Sequence, residues 1–282
     1  MIPSIVRSKA ALWERASGWK SAGEKIAVVP TMGALHAGHL SLVQAALARC
    51  DRVIVTLFVN PTQFNKPEDL ASYPRTETED ATKLARFGVD VLYAPTVAEM
   101  YPHGFATRVV VAGLPEVLCG AHRPGHFDGV ATVVAKLLVQ TGADTAYFGE
   151  KDFQQLQIIR RMVADLDLPV EVCGCPTLRE ADGLAMSSRN GLLTPEARGI
   201  APALHRGLTW MAQRLQAGEA FEPLQTEARD RLLRSGFDKV DYLDLRAEGD
   251  LALLDQLAGP ARLFGAAELA GVRLIDNIAV AV

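Results

Sequence analysis

Two of the six histidines, His36 and His39, stand three residues apart in the run Val28-Val29-Pro30-Thr31-Met32-Gly33-Ala34-Leu35-His36-Ala37-Gly38-His39-Leu40. Imidazoles donate hydrogen bonds to oxyanions. Gly38 lets a ligand lie against the backbone, where a side chain would block it. Such a pair suits phosphate chemistry. Four other stretches carry related groups. Gly149-Glu150-Lys151-Asp152 sets a cation beside a close-approach glycine. Gly183-Leu184-Ala185-Met186-Ser187-Ser188-Arg189-Asn190 combines two hydroxyls, a guanidinium and an amide, a good grip for an anion. Arg179 and Glu180 stand just upstream. In His122-Arg123-Pro124-Gly125-His126-Phe127-Asp128-Gly129, Arg123 and His126 suit a carboxylate or phosphate, and Gly and Pro predict a loop. Tyr73-Pro74-Arg75-Thr76-Glu77-Thr78-Glu79-Asp80 gathers carboxylates suited to Mg²⁺, which takes oxygen ligands. Taken singly, these stretches also read as charged helix starts, a polar linker or structural loops.

These groups need elements to hold them. Ile26 to Val29 is an apolar run that predicts a buried strand, with Pro30 stopping it. From about Ala37, Leu40, Leu42-Val43 and Ala46-Leu47 recur at helical spacing. The histidine pair therefore falls where a strand hands over to a helix, the place where backbone N–H groups and the helix dipole favour phosphate. The run is neither the dinucleotide fingerprint G-x-G-x-x-G nor a Walker A loop. Arg52 to Asn60 is a second continuous apolar run, ending in Asn60-Pro61-Thr62-Gln63-Phe64. Helices are predicted at Ser8–Gly18, Thr76–Gly88, Val130–Thr141 and Phe153–Leu166. Further strands are predicted at Asp90–Ala94, Thr145–Phe148 and Pro169–Cys173, and residues 101–129 read as irregular. Strands alternating with helices imply a parallel α/β sheet, whose ligands bind outside the C-terminal strand ends.

After Cys175–Asn190 the pattern changes. Thr194-Pro195 opens a helix with proline at its first position. Helical stretches then run to about Ala217 and from Pro223 to Ser235, followed by strands at Val240–Leu245, Ala261–Gly265 and Val272–Asp276. The expected organisation is a Rossmann-like domain over residues 1–176 and a small α+β domain over 177–282.

The bulk numbers fit an enzyme with a sizeable core: 282 residues, 49% hydrophobic, 22% charged, net charge −4. That charge argues against a broad nucleic-acid surface. No stretch approaches the roughly 20 apolar residues of a membrane span, and Met1–Ala10 lacks the layout of a signal peptide. Cys50, Cys119, Cys173 and Cys175 read as reduced thiols rather than a disulfide framework or a zinc site. A cytoplasmic protein fits.

His-x-Gly-His resembles the HxGH signature of the nucleotidyltransferase superfamily, and the later Met186–Asn190 loop resembles that superfamily's second phosphate signature. With Phe58-Val59-Asn60-Pro61-x-Gln63-Phe64, Tyr73-Pro74-Arg75-Thr76, Arg123–Val130, Phe148–Asp152 and Asp182–Asn190, the chain resembles the pantoate–β-alanine ligase family. The match covers residues 28–195 and resumes at Val240–Leu245 and Arg273-Leu274-Ile275-Asp276-Asn277. Leu178 stands where the family often has valine.

The resemblance implies a carbon–nitrogen ligase that joins (R)-pantoate to β-alanine, giving pantothenate, a coenzyme A precursor, with ATP going to AMP and pyrophosphate through pantoyl adenylate. It also implies an ATP site of Met32–His39, Gly149, Glu150, Lys151, Asp152, Leu178, Met186, Ser187, Ser188 and Arg189. His39 would be the proton donor, with His36, Lys151 and Arg189 shielding phosphate charge. Gln63 and Gln155 would hold pantoate, Gln63 also β-alanine, and Asn60, Tyr73, Arg123 and His126 are further candidates. Asp80 is the expected magnesium ligand, the C-terminal domain is expected to shield the adenylate from water, and a homodimer is expected. Two other readings stay open: a different HxGH adenylyltransferase, which would not need Gln63, Gln155 and the 123–129 stretch, and a non-catalytic nucleotide sensor, which need not keep His36, His39, Lys151 and Arg189 together. A tRNA synthetase is disfavoured, because no anticodon-binding domain fits after residue 195.

Overall fold

Runs rich in Val, Ile and Ala build the first sheet because their side chains pack on both faces of a covered strand. The computed structural model describes residues 2–65 and 67–281. Its strands are β1 (Ser4–Val6), β2 (Ile26–Thr31), β3 (Arg52–Leu57), β4 (Val91–Tyr93), β5 (Thr145–Gly149) and β6 (Glu171–Cys175). They form one parallel sheet in the order β1-β4-β3-β2-β5-β6. Ile26 to Val29 and Val53 to Val55 are inaccessible to solvent, as the apolar runs require.

The chain works outward from β2 through β3 to β4, then returns to β2's other side for β5 and β6. The order reverses between β2 and β5. Such a switch point leaves a crevice at the C-terminal strand ends, where the ligands of open α/β sheets bind.

The helices of this part are α1 (Lys9–Ser21), α2 (Ala37–Leu47), α3 (Pro67–Ser72), α4 (Glu77–Leu84), α5 (Val97–Met100), α6 (Leu118–Ala121), α7 (His126–Thr141) and α8 (Phe153–Asp165). Leu42, Val43 and Ala46 of α2 and Ala81 and Leu84 of α4 pack with Ala27, Val29, Val53, Val55 and Tyr147 into one core. Helices α1 and α7 contact each other and β2.

Two local expectations are corrected, and one strand is new. Pro30 does not end its strand: β2 continues to Thr31, with Pro30 opposite Thr56. Pairing of β2 with β5 stops at Val28, so a residue without an N–H lies beyond the strand's two-sided stretch and is tolerated. The strand at β1 was not expected, since three residues carry no readable period. Helix α7 begins at His126 rather than Val130, so half of the expected 122–129 loop is a helical turn.

By its internal contacts the chain divides into two compact units, residues 1–150 with 155–176, and residues 151–154 with 177–282. The second unit holds α9 (Pro195–Ile200), α10 (Ala203–Gln216), α11 (Phe221–Ser235) and the antiparallel meander β7 (Lys239–Ala247), β8 (Ala261–Leu269) and β9 (Val272–Val280). Leu204, Leu208, Met211 and Leu215 of α10 pack with Leu224 and Leu232 of α11 and Leu243, Leu263 and Leu274 of the sheet. Among the described residues no helix is long and apolar enough to cross a membrane.

Candidate active site

The turn that follows β2 starts from a threonine pair. Thr31 Oγ1 donates to the Thr56 carbonyl at 2.6 Å and accepts from Gly33 N at 3.2 Å. Gly33 then takes φ +86° and Ala34 φ +52°. Glycine adopts that conformation freely, whereas alanine meets a steric cost. The two residues turn the amides of Ala34 and Leu35 onto one carboxylate. Ala34 N donates to Asp80 Oδ2 at 2.9 Å and Leu35 N to Asp80 Oδ1 at 2.8 Å.

The same carboxylate accepts from Thr76 Oγ1 at 3.0 Å, and Lys83 donates to the Leu35 carbonyl at 2.8 Å. Asp80 has no solvent exposure. Asp80, the expected magnesium ligand, thus directs both oxygens to protein donors, two backbone amides and a threonine hydroxyl.

His36 caps α2. Its Nδ1 accepts from Gly38 N at 3.1 Å, and His39 Nδ1 accepts from His36 N at 3.3 Å. A backbone amide is only a donor, so both Nδ1 atoms are acceptors and each neutral ring carries its proton on Nε2. The ring centroids are 4.1 Å apart. Two Nε2–H donors at a helix N-terminus, beside the sheet's switch point, make a setting for phosphate.

At the end of β3, Asn60 is buried and fully engaged. Its Oδ1 accepts from Tyr101 Oη at 2.8 Å and Thr62 Oγ1 at 3.0 Å, and its Nδ2 donates to Gln63 Oε1 at 3.0 Å and the Gly129 carbonyl at 3.1 Å. Gln63 Nε2 reaches Met32 Sδ at 3.3 Å, so the segments after β2 and β3 meet through this side chain. Gly129 is forced by close approach: a Cβ there would lie 2.4 Å from the Thr62 carbonyl oxygen.

Arg123 and His126 serve Gln63 from behind. His126 Nδ1 donates to the Gln63 carbonyl at 2.8 Å, while its Nε2 faces Arg123 Nη1 at 3.1 Å. Arg123 and His126, the expected anion binders, are thereby tied to Gln63, and His126, though buried, also lines the cavity beside it. Gln63, Tyr101, Phe105, Arg108 and Asp128 line a cavity of about 460 Å³. Tyr73 packs edge-on against Phe64, with ring centroids 5.7 Å apart. Gly149 and Glu150 stand at the end of β5, and Gln155 is half-buried on α8.

In the second unit, the stretch expected as an irregular loop is a folded hairpin. Glu180 N donates to the Leu184 carbonyl and Met186 N to the Leu178 carbonyl, with Arg179 and Ala185 paired across it. Leu178 is exposed. Ser187 Oγ accepts from Arg189 N at 3.2 Å and opens a short 3₁₀ turn over Ser188–Leu192.

Arg179 grips Asp276 with both nitrogens, at 2.7 and 2.9 Å, and His205 Nδ1 lies 3.5 Å from the same carboxylate. Burial alone would raise the Asp276 pKa, but His205 and Arg179 hold it below the usual carboxylate range. Asn277 donates to the Lys151 carbonyl at 2.9 Å and accepts from Arg262 at 2.6 Å. Arg262 in turn lies over the Phe153 ring, 3.9 Å from its centroid. Lys151, Ser187, Arg189, His205, Arg273 and Asp276 line one small cavity.

Site reasoning from sequence missed Asp276, Asn277, His205 and Arg262. The available signal was the adjacent polar pair Asp276-Asn277 in the mostly apolar run Leu274–Val280. Among the described residues, no group of three or more His, Cys, Asp or Glu is arranged to hold a metal ion.

The comparisons with known proteins agree over nearly the whole chain. The family model described as pantoate-beta-alanine ligase matches residues 4–279. The pantothenate synthetase of Roseobacter denitrificans is 62% identical over 282 residues, covering 100% of this chain and 99% of the relative. That of Ruegeria pomeroyi is 60% identical over 280 residues, 99% of this chain and 98% of the relative. The crystal structure of pantothenate synthetase from Thermus thermophilus superposes with a TM-score of 0.90 at 45% identity, covering 98% of each chain. Pantoate-beta-alanine ligase from Francisella tularensis, solved with beta-gamma ATP and β-alanine, gives a TM-score of 0.81 at 36% identity, covering 98% of this chain and 97% of that one. With its histidine pair set at the switch point of such a sheet, this chain belongs to the pantoate–β-alanine ligase family.

Proposed function

We propose that this chain condenses (R)-pantoate with β-alanine at the expense of ATP, in two steps joined by pantoyl adenylate. The observation that carries the reading is full-length identity near 60% to pantothenate synthetases. The relative solved with an ATP ligand and β-alanine supports the choice of substrates.

In the first step a pantoate carboxylate oxygen bonds to the α-phosphorus, and pyrophosphate leaves. In the second, the β-alanine amine bonds to the acyl carbon, AMP leaves, and the amine loses its proton. The first step sets an anion against a polyanion, so donors and cations must offset the charge. His39 and His36 suit this through their Nε2 protons, and Lys151 and Arg189 through permanent charge. Met32–His39, Gly149–Asp152, Leu178 and Met186–Arg189 are the proposed ATP contacts. Gln63 and Gln155 are the proposed pantoate contacts, with Gln63 also addressing β-alanine. The amide of Gln63 suits pantoate's hydroxyls and carboxylate, and Asn60, His126 and Arg123 hold it in place.

No side chain is assigned to Mg²⁺. It is proposed to arrive on ATP, held by phosphate oxygens and water. A covalent acyl-enzyme is not proposed, because burial pushes the thiols of Cys173 and Cys175 up, away from the reactive thiolate. The cytoplasm, a homodimer and water exclusion by the C-terminal domain are carried over as proposals from the family.

The test is turnover of ATP with pantoate and β-alanine, measuring AMP, pyrophosphate and pantothenate. Without β-alanine, about one pyrophosphate per active site should appear in a burst, consistent with a reaction that needs no amine for its first half. Pyrophosphate appearing only once β-alanine is added would refute the stepwise route. Covalent attachment of labelled pantoate to the chain would refute the non-covalent intermediate.

A further inference from the structure

We infer that Asp80 is a positioning residue for the adenylation step: its carboxylate is the built-in anion that holds the Gly33–Leu35 turn in the shape that presents the histidine pair. The inference rests on the function proposed above. Successive backbone N–H groups in a turn can point at one spot and form a concavity that attracts an anion. Gly33 and Ala34, at φ +86° and +52°, make such a turn for the amides of Ala34 and Leu35. Left empty, the two amide dipoles would repel each other, and Ala34 would bear a steric cost with nothing to offset it.

Asp80 fills this concavity from α4, 46 residues away in sequence, at 2.9 and 2.8 Å. Its position is secured in turn. Thr76 donates to it at 3.0 Å, and Lys83 Nζ lies 3.6 Å from Oδ1 while bonding the Leu35 carbonyl at 2.8 Å. A Cβ on Gly33 would sit 3.2 Å from Oδ2, so the carboxylate fits closely under the turn.

The residue after Leu35 is His36, whose extended backbone caps α2 and whose N–H fixes His39 through Nδ1. A shift of the turn is therefore passed to both rings. Among the described residues, the proposed substrate contacts to which Asp80 hydrogen-bonds are the turn's own backbone amides. Its effect should accordingly fall on ATP and leave pantoate binding alone.

The test uses Asp80→Asn, which keeps size but offers one acceptor to two amides, and Thr76→Val, which removes one support and keeps the charge. Wild-type protein is assayed first, so failure of the proposed function shows there rather than in the variants. In Asp80→Asn, pyrophosphate release from ATP and pantoate should slow roughly 10- to 100-fold, the rate equivalent of a buried amide left without its acceptor. Pantoate affinity by calorimetry should stay within about twofold of wild type, and Thr76→Val should show a smaller loss in the same direction. Amide exchange at Ala34 and Leu35 should speed up in Asp80→Asn whether or not ATP is present. Normal adenylation with only a lowered melting temperature would overturn the inference in favour of a purely structural role. Recovery of Asp80→Asn by excess Mg²⁺ or by Mn²⁺ would overturn it in favour of a metal ligand. Equal loss of pantoate and ATP affinity would also overturn it, since the turn would then hold the whole site.

Discussion

The β2–α2 turn of the first unit and the hairpin-and-β9 region of the second hold their functional groups by different means. In the turn, one carboxylate accepts from two backbone amides, and the two histidines cap the helix through neutral rings. In the second unit, charged side chains hold one another: Arg179 on Asp276, Arg198 on Glu180 and Asp182. Backbone amides are fixed by the turn's own dihedrals, so the first arrangement sets direction. Ion pairs set charge, and they respond to pH and salt as direction does not. The difference lies in what is fixed: hydrogen-bond direction in the turn, and the mutual placement of charged side chains in the second unit.

The sharpest break of this contrast should come from Asp276→Asn. Its side chain is 4% exposed. Removing one partner of a buried pair costs about 3–5 kcal/mol, and the loss should appear in urea unfolding of the variant. The effect should depend on pH. The folded pKa of Asp276 is depressed, so its contribution is present above the unfolded value of about 3.9 and fades as pH falls through the lower folded value. Wild type and variant should therefore converge in acid. A gap in stability that persists unchanged well below that range would show that packing, not charge, separates them.

His39→Ala should act on rate instead. A kcat loss of roughly 10²-fold or more is expected for a preorganised donor, with a stability loss of only about 1 kcal/mol from the helix cap. Steady-state kinetics and a melting curve read both quantities. Near-normal turnover in a folded variant would remove His39 from the mechanism.

Gln63→Ala should weaken pantoate binding about tenfold, the order expected for one or two lost hydrogen bonds, and leave ATP affinity nearly intact. Calorimetry of each ligand separates the two, and equal losses would make Gln63 a structural residue that ties Asn60 to Met32. The smallest effect is expected from Arg198→Ala. Its partly exposed pairs should contribute below about 1 kcal/mol, and less in high salt. A larger loss at high salt would mean that Arg198 packs rather than pairs.

The family was legible in the chain because its strings are contiguous. Pro30–His39, Phe148–Asp152 and Asp182–Asn190 are each one short uninterrupted run of the chain, and every residue in them is recognised without knowing its neighbours in space. The alternation of strands and helices was legible for the same reason, since hydrophobic period is a local property. Short elements carried no period, which is why β1 and the first turn of α7 went unread.

Function-bearing residues divided along that line. Type and spacing alone determined that His36 and His39 meet at a strand-to-helix turn, that Lys151 follows a strand-end glycine, and that a second, smaller α+β region follows the sheet. Only the tertiary structure decided which atoms those residues present. The tautomer of each histidine follows from an amide aimed at Nδ1. The use of Asp80 follows from a turn 46 residues upstream, and that of Asp276 and Asn277 from Arg179 and Lys151, about a hundred residues away. A carboxylate reads the same in a sequence whether it faces water, a metal or two amides. What separates these cases is which donors the fold brings within 3 Å, and that is set by contacts between segments far apart in the chain.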